Sequence, residues 1–388
     1  MKIGIPKEIM PGETRVAVVP AMIPVLKKAG HEVYVETGAG LLASFTDSEY
    51  ESSGAAIVKD PKRLYREADL VIKFQAPMMN KKIKMHELAL VKEGSALICS
   101  IPPASHKGVM KYLLKSKITA FGMEYLPRIT KAQTMDVLSS MSTVAGYKAV
   151  MLAAYYLGKL FPLLMTAAGT IPPANVLILG AGVAGLQAIA TAKRLGAKVE
   201  AFDPRPVVRE QVESLGGQFV EMELPKDAET AGGYAKQQSE EFLQLEREVI
   251  GKRLTKVDAV ITTAQIFGKP SPVLITEQMV KTMPPGSVII DLAVAEGGNC
   301  ELSVANKTVV KYGVHIFGAL NLARTVPVHA SQMHSKNVIN FFKQVYSNQS
   351  GALDFEDEIT RGTCLTHNGE IINETVKRNF GKEKAARA

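Results

Sequence analysis

Six residues constrain this chain more than any others: Gly180-Ala-Gly182-Val-Ala-Gly185, directly after the apolar run Asn175–Leu179 and at the head of a stretch with helical spacing. Alone, such a glycine pattern is weak; between a strand and a helix it is strong. Gly180 permits a tight turn, Gly182 lets the backbone approach a pyrophosphate, and Gly185 lets helix and strand pack closely. The helix carries Leu186, Ile189, Ala190 and Leu195 and stops at Gly196. Its N-terminus offers unbonded N–H groups and a positive dipole end, which attract an anion. The next strand, Lys198–Phe202, ends in Asp203, where a carboxylate would accept hydrogen bonds from a ribose. A 2′-phosphate there would meet like charge, which favours NAD over NADP, although Arg205 could pair with such a phosphate. Three glycines that merely make a turn are the bland alternative, and Asp203 in register weighs against it.

The surroundings repeat the same architecture. Strand-like runs at Lys2–Ile5, Glu32–Glu36, Leu70–Phe74, Ala96–Ser100 and Ile118–Gly122 alternate with helical segments such as Ala21–Ala29 and Lys107–Lys115. After a polar break near Leu126–Asp136 comes a long apolar helix pattern, Val137–Leu160, and a rigid turn at Ala168–Pro173. A second series follows, with strands at Asn175–Leu179, Lys198–Phe202, Ala259–Thr262, Ser287–Asp291 and Val314–Phe317, and a later helix at Ser335–Val345. Such alternation predicts an α/β fold of two doubly wound parallel sheets, the second a Rossmann domain, with a cleft between them. The chain's 388 residues also suit two domains. The expected division is 1–136 with 320–388, the tail being too short to fold alone, and 137–319. Between Phe219 and Ala259 the stretch Met222–Tyr234 is polar and holds Pro225, Gly232 and Gly233. A loop of that length in a compact domain is disordered or a lid.

Composition removes several alternatives. The net charge is +8, but the basic clusters at Lys81–Lys84 and in the tail lack interleaved aromatics, so nucleic acid is not expected as a partner. The three cysteines stand far apart without zinc spacing, which fits a reducing compartment and no metal. Lys7 and Glu8 interrupt any signal peptide. The apolar region Val144–Ile171 is broken by Lys148, Lys159 and Pro162 and reads as buried helix plus turn rather than a membrane span.

Met165-Thr-Ala-Ala-Gly-Thr, the run Gly180–Gly196, Glu229-Thr-Ala-Gly-Gly-Tyr234, Ile289-Ile-Asp-Leu-Ala293 and Gly297-Gly-Asn-Cys300 closely resemble the NAD(H)-binding α subunits of proton-translocating NAD(P) transhydrogenases. The likeness runs from Met1 to Cys364. It implies a homodimer that holds NAD(H), a separate membrane α subunit, and a β subunit that holds NADP(H). Hydride would pass directly between the nicotinamides, coupled to proton movement, with this chain peripheral on the cytoplasmic face of the membrane.

The resemblance also assigns residues. The segment Arg128-Ile129-Thr130-Lys131-Ala-Gln133-Thr-Met-Asp136, with Ser139, would contact the nicotinamide end of NAD(H), and Gln133 would face the partner's ring; spacing alone makes it a polar surface loop. Gly233 and Tyr234 would lie on a mobile loop that closes over nucleotide, where Gln238 replaces a family Met. The nucleotide contacts are completed by Val183 and Ala184 in the glycine turn, Pro204 beside Asp203, and Ala264 and Gln265 after Ala259–Thr262. The rival reading is alanine dehydrogenase, with which the chain shares the pocket residues Arg15 and Lys73. Its catalytic His would fall in Ser100–Pro103, where none occurs, and its catalytic Asp at Ala295, beside Glu296. Oxidative deamination would then lack its proton carrier.

Overall fold

The computed structural model describes residues 1–102, 106–222, 240–266, 269–347 and 352–378. The chain divides into two compact units, Met1–Met141 with Arg324–Ala388, and Ser142–Ala323. The anticipated lid, with Gly233, Tyr234 and Gln238, lies outside the described residues.

The first unit contains β1 (Lys2–Ile5), β2 (Glu32–Glu36), β3 (Ala56–Val58), β4 (Leu70–Ile72), β5 (Ala96–Cys99) and β6 (Thr119–Gly122), parallel in the order β3-β2-β1-β4-β5-β6. The second contains β7 (Asn175–Leu179), β8 (Lys198–Phe202), β9 (Gln218–Phe219), β10 (Ala259–Thr262), β11 (Val288–Asp291), β12 (Thr308–Lys311) and β13 (Val314–Gly318). Its order is β9-β8-β7-β10-β11-β13, all parallel, with β12 antiparallel at the edge. The chain then returns: β14 (Cys364–His367) lies antiparallel on β6, and β15 (Glu370–Ile371) on β14. Both units thus have the doubly wound order 3-2-1-4-5-6.

Alternate residues of one strand enter different cores. Leu70 and Ile72 pack into one apolar cluster and Val71 into another, and Val176 and Ile178 separate likewise from Leu177 and Leu179. Both faces are covered, which is why these strands read as continuous apolar runs rather than alternating ones. Four helices carry or support the candidate site: α1 (Val137–Tyr156), α2 (Val183–Arg194), α3 (Glu240–Leu254) and α4 (Pro327–Val345).

Two expectations need correcting. The last long helix begins at Pro327, not Ser335, because polar residues in its first turns are buried and obscure the apolar spacing. Ser331 and Ser335 accept hydrogen bonds from the Val16 and Val19 N–H groups at 3.0 and 3.1 Å. The turn at Ala168–Pro173 is half of an antiparallel hairpin, Leu164–Thr166 with Gly169–Ile171, and all six residues are exposed, Met165 by 78%. The helix over Val137–Tyr156 is, by length and composition, able to cross a membrane, and it is the one such helix among the described residues. In this fold Ala149, Val150 and Ala153 on its inner face are fully buried in the second unit's core.

Candidate functional site

The glycine turn lies between β7 and α2, beside the point where strand order reverses between β7 and β10, which is where open α/β sheets bind ligands. Gly180 has φ +95°, and a Cβ there would fall 2.6 Å from Thr263 Oγ1. A Cβ on Gly185 would lie 1.8 Å from the Gly180 carbonyl oxygen. Above Gly182, by contrast, a Cβ would meet nothing within 4 Å. Gly182 is the N-cap of α2; it supplies no side-chain cap, and the first turn holds no acidic residue. Those first-turn N–H groups have no carbonyl partner within the helix. Exposed Val183 and half-buried Ala184 form the turn's rim. Open space over an uncapped helix N-terminus suits the approach of an anion such as a pyrophosphate.

A further glycine, missed in the sequence, shapes this turn from behind. A Cβ on Gly146 of α1 would come within 2.1 Å of the Ala184 carbonyl oxygen, so α1 presses directly on the start of α2.

Asp203 sits at the end of β8, 6% exposed, and accepts four hydrogen bonds. One comes from the Ala181 N–H at 2.7 Å, so the carboxylate braces the glycine turn. The other three come from Arg205: its backbone N–H, its Nε at 2.9 Å and a guanidinium N–H at 3.0 Å. Four bonds match a carboxylate's lone pairs. A ribose hydroxyl therefore has to take the place of Arg205 donors, and Arg205 is paired with Asp203 rather than presented to a phosphate. Pro204 is half-buried between them. Nearby on α3, Glu246 is 3% exposed, and burial, with the Asp203 charge second, pushes its carboxyl up to about 7.

Ala264 and Gln265 follow β10. Both main-chain polar groups of Ala264 are used within the protein: its N–H donates to Asn299 Oδ1 at 3.0 Å and its carbonyl accepts from Asn299 Nδ2 at 2.8 Å. Gln265 is exposed and donates to the Leu292 carbonyl and to Glu296, each at 3.2 Å. Among the described residues, no group of three or more His, Cys, Asp and Glu is placed to hold a metal.

In the first unit, Thr130–Met135 forms a 3-10 helix. Ala132 and Met135 anchor it inward, while Gln133, Arg128, Thr130 and Lys131 are exposed and Ile129 is half-buried. The Thr134 carbonyl accepts from Asn337 at 2.8 Å and Asn340 at 3.3 Å, both on α4, and Lys131 pairs with Asp357 at 3.3 Å. Asp136 takes the Ser139 N–H at 2.9 Å and the Ser139 hydroxyl at 2.6 Å. That is the bonding of a helix N-cap, here for α1. Residues read as one polar loop thus comprise a pinned 3-10 turn that displays Gln133 and a cap that starts the following helix.

Arg15 and Lys73 sit in a buried ionic cluster. Arg15, 2% exposed, gives two hydrogen bonds to Glu13, at 2.7 and 2.6 Å, and its guanidinium lies over the Phe74 ring at 3.8 Å. Gln75 donates to the same Glu13 at 2.6 Å. Burial acts to raise the Glu13 carboxyl, but the bonds from Arg15 carry it below the ordinary value. Lys73 is instead bonded to Glu87 at 2.5 Å, with Glu8 at 3.7 Å. Burial opposes its charge, and Glu8 and Glu87 more than offset this. His334 stacks on Phe74 at 3.9 Å, and burial lowers its pKa to about 3. Each cation here is already neutralised by a carboxylate of the same chain.

A glycine turn uncapped toward open space, a carboxylate bracing it from the next strand, and a 3-2-1-4-5-6 sheet define a Rossmann-type dinucleotide-binding protein of two α/β units. The N-terminal domain model of the alanine dehydrogenase/PNT family matches residues 4–145 and the C-terminal domain model residues 149–374. The chain belongs to that family. It is 51% identical to the first section of the NAD(P) transhydrogenase alpha subunit of Rhodospirillum rubrum, over 96% of this chain and 98% of that one. It is 30% identical to the alanine dehydrogenase of Methanococcus maripaludis, over 97% and 95%. The crystal structure of the Sinorhizobium meliloti transhydrogenase is similar with a TM-score of 0.83 at 38% identity, covering 97% of this chain and all of that one.

Proposed function

We propose that this chain is the NAD(H)-holding subunit of a proton-translocating NAD(P) transhydrogenase, taking part in direct hydride transfer between NADH and NADP+ held by a partner subunit. The observation that carries the reading is the uncapped, acid-free N-terminus of α2 behind Gly182, braced by Asp203. The bound nicotinamide supplies the hydride; the chain's residues bind and orient. Val183, Ala184 and the glycines receive the pyrophosphate, and Asp203 and Pro204 the adenosine ribose once Arg205 moves aside. Gln265 borders the same site.

Arg128, Ile129, Thr130, Lys131, Gln133, Asp136 and Ser139 serve the nicotinamide end, with Gln133 and Asp136 closest to the transfer. Transfer between two rings needs positioning rather than an acid or a base. A rigid 3-10 turn that displays Gln133 suits that task.

The remaining features of the reading rest on the sequence resemblance alone: Re/Si-specific transfer, proton translocation through a separate membrane α subunit, an NADP(H)-binding β subunit, and a cytoplasmic, membrane-peripheral place. A homodimer agrees with the exposed apolar side chains of Leu163, Met165 and Ile171 at the hairpin, since such patches mark association surfaces. Alanine oxidation is disfavoured because Ser100–Pro103 holds no His and Ala295 stands where the catalytic Asp would fall, so oxidative deamination lacks its proton carrier.

Two assays on the purified chain test this. With NADH, NADP+ and the NADP(H)-binding partner subunit, hydride transfer is expected; with NAD+ and alanine, none. Alanine oxidation by the chain alone would overturn the assignment. In the first assay, Gln133→Asn is expected to slow transfer with little change in NADH affinity. A matching loss of affinity would make Gln133 an ordinary ligand contact.

A further inference from the structure

We propose that Asn299 is a positioning residue for nucleotide binding, holding Ala264 and Gln265 against the glycine turn. The inference rests on the NAD(H) reading and adds to it a residue that touches no ligand itself. Its origin is Asp291, at the end of β11 and fully buried. Asp291 Oδ1 accepts from the Thr262 hydroxyl and the Ala293 N–H, both at 2.9 Å. Its Oδ2 accepts from the Asn299 and Cys300 N–H groups at 3.0 and 3.1 Å. A buried carboxylate with four donors is a fixed point, since losing any donor leaves charge unsolvated. Only glycine fits beside it: Gly298 has φ +88°, and a Cβ there would lie 2.8 Å from Asp291 Oδ2.

From that point the Asn299 side chain reaches across to the neighbouring strand's loop. Its amide satisfies Ala264 on both sides and gives its second N–H to the Pro272 carbonyl at 2.8 Å. Asn299 is fully buried, both of its amide N–H donors are used and its oxygen is partnered. The loop it holds abuts the glycine turn: Thr263 donates to the Gly180 carbonyl at 3.0 Å, and a Gly180 Cβ would lie 3.2 Å from the Ala264 nitrogen. Gln265 then returns to Leu292 and Glu296, which closes a ring of contacts between the loops after β10 and β11. The Ala264 N–H is therefore already engaged within the protein. The role of Ala264 is to carry Gln265, and Asn299 sets where Gln265 stands.

The test is NADH titration of the full chain, followed by nucleotide fluorescence, for the wild type, Asn299→Ser, Gln265→Ala and the double variant, with thermal unfolding of each. Asn299→Ser and Gln265→Ala are each expected to weaken NADH by about tenfold, and the double variant no more than Asn299→Ser, because residues acting through one contact are not additive. Multiplying effects, or a fall in Tm with unchanged NADH affinity, would show Asn299 to be structural only and overturn the proposal. If Asn299→Ser does not fold, exposed Glu296→Ala opens the same ring at its other end; a several-fold loss of NADH affinity supports the proposal and unchanged affinity overturns it. Wild-type chain that fails to bind NADH would instead sink the NAD(H) reading.

Discussion

Arg205 turns the selectivity of this site into a competition between side chains. While its guanidinium holds Asp203, the carboxylate's charge is neutralised and its acceptors are filled, so neither a ribose hydroxyl nor a 2′-phosphate meets a bare anion. Arg205→Ala should uncover Asp203, tightening NADH and deepening discrimination against NADPH. Asp203→Ala should do the reverse and also loosen the glycine turn that Asp203 braces through Ala181. Titrating both variants with NADH and NADPH separates these effects. An NADH/NADPH ratio that Asp203→Ala leaves unchanged would move the selectivity to another residue.

Among the elements, α1 carries two dissimilar duties. Its first turn is capped by Asp136, and Asp136→Ala should cost about 1 kcal/mol of stability, as loss of a cap does. Further along, Gly146 leaves no room for a side chain against Ala184. Gly146→Val should cost about 1–3 kcal/mol or more by overpacking, and by displacing the start of α2 it should also abolish NADH binding. Thermal unfolding and NADH titration of that one variant check both; normal binding would mean that α2 tolerates the shift.

The same contrast decides what could be read without coordinates. β1, β7 and β10 show as apolar runs because both their faces are buried, and β2 and β8 as buried apolar residues alternating with more exposed ones, which is why all five were legible to the residue. By contrast, β3 has one buried residue in three, α4 opens on buried serines, and the exposed hairpin reads as a rigid turn because Pro172 and Pro173 close it. At the site, the glycine turn was legible because φ and close approach dictate the residue type locally. The Asn299 contacts were not, because they join side chain to backbone across 35 residues of sequence. For Arg128 to Ser139 the sequence offered only a resemblance.

At the scale of the molecule, each unit carries a buried carboxyl with a raised pKa. Burial is the largest cause for both, and it lifts Glu8 and Glu246 from 4.5 to about 7. A carboxyl that holds its proton more tightly when folded favours the folded state while protonated. That contribution is whole below about 4.5 and is lost as pH rises through 7. Glu246→Gln, which stays neutral, should melt close to the wild type at pH 5 and above it at pH 8, both conditions chosen to bracket the titration. An equal difference at both would mean that Glu246 does not titrate in this range.

The return of β14 onto β6 also has a consequence for how the protein is made. A ribosome releases the first six strands, then all of β7 to β13, before the strand that closes the first sheet exists. Until Cys364–His367 emerges, β6 is an open edge with unpaired N–H and C=O groups, a template for mispairing. The later-synthesised Ser142–Ala323 unit is therefore the first that can be completed, and the earliest-made strands wait longest for their last neighbour.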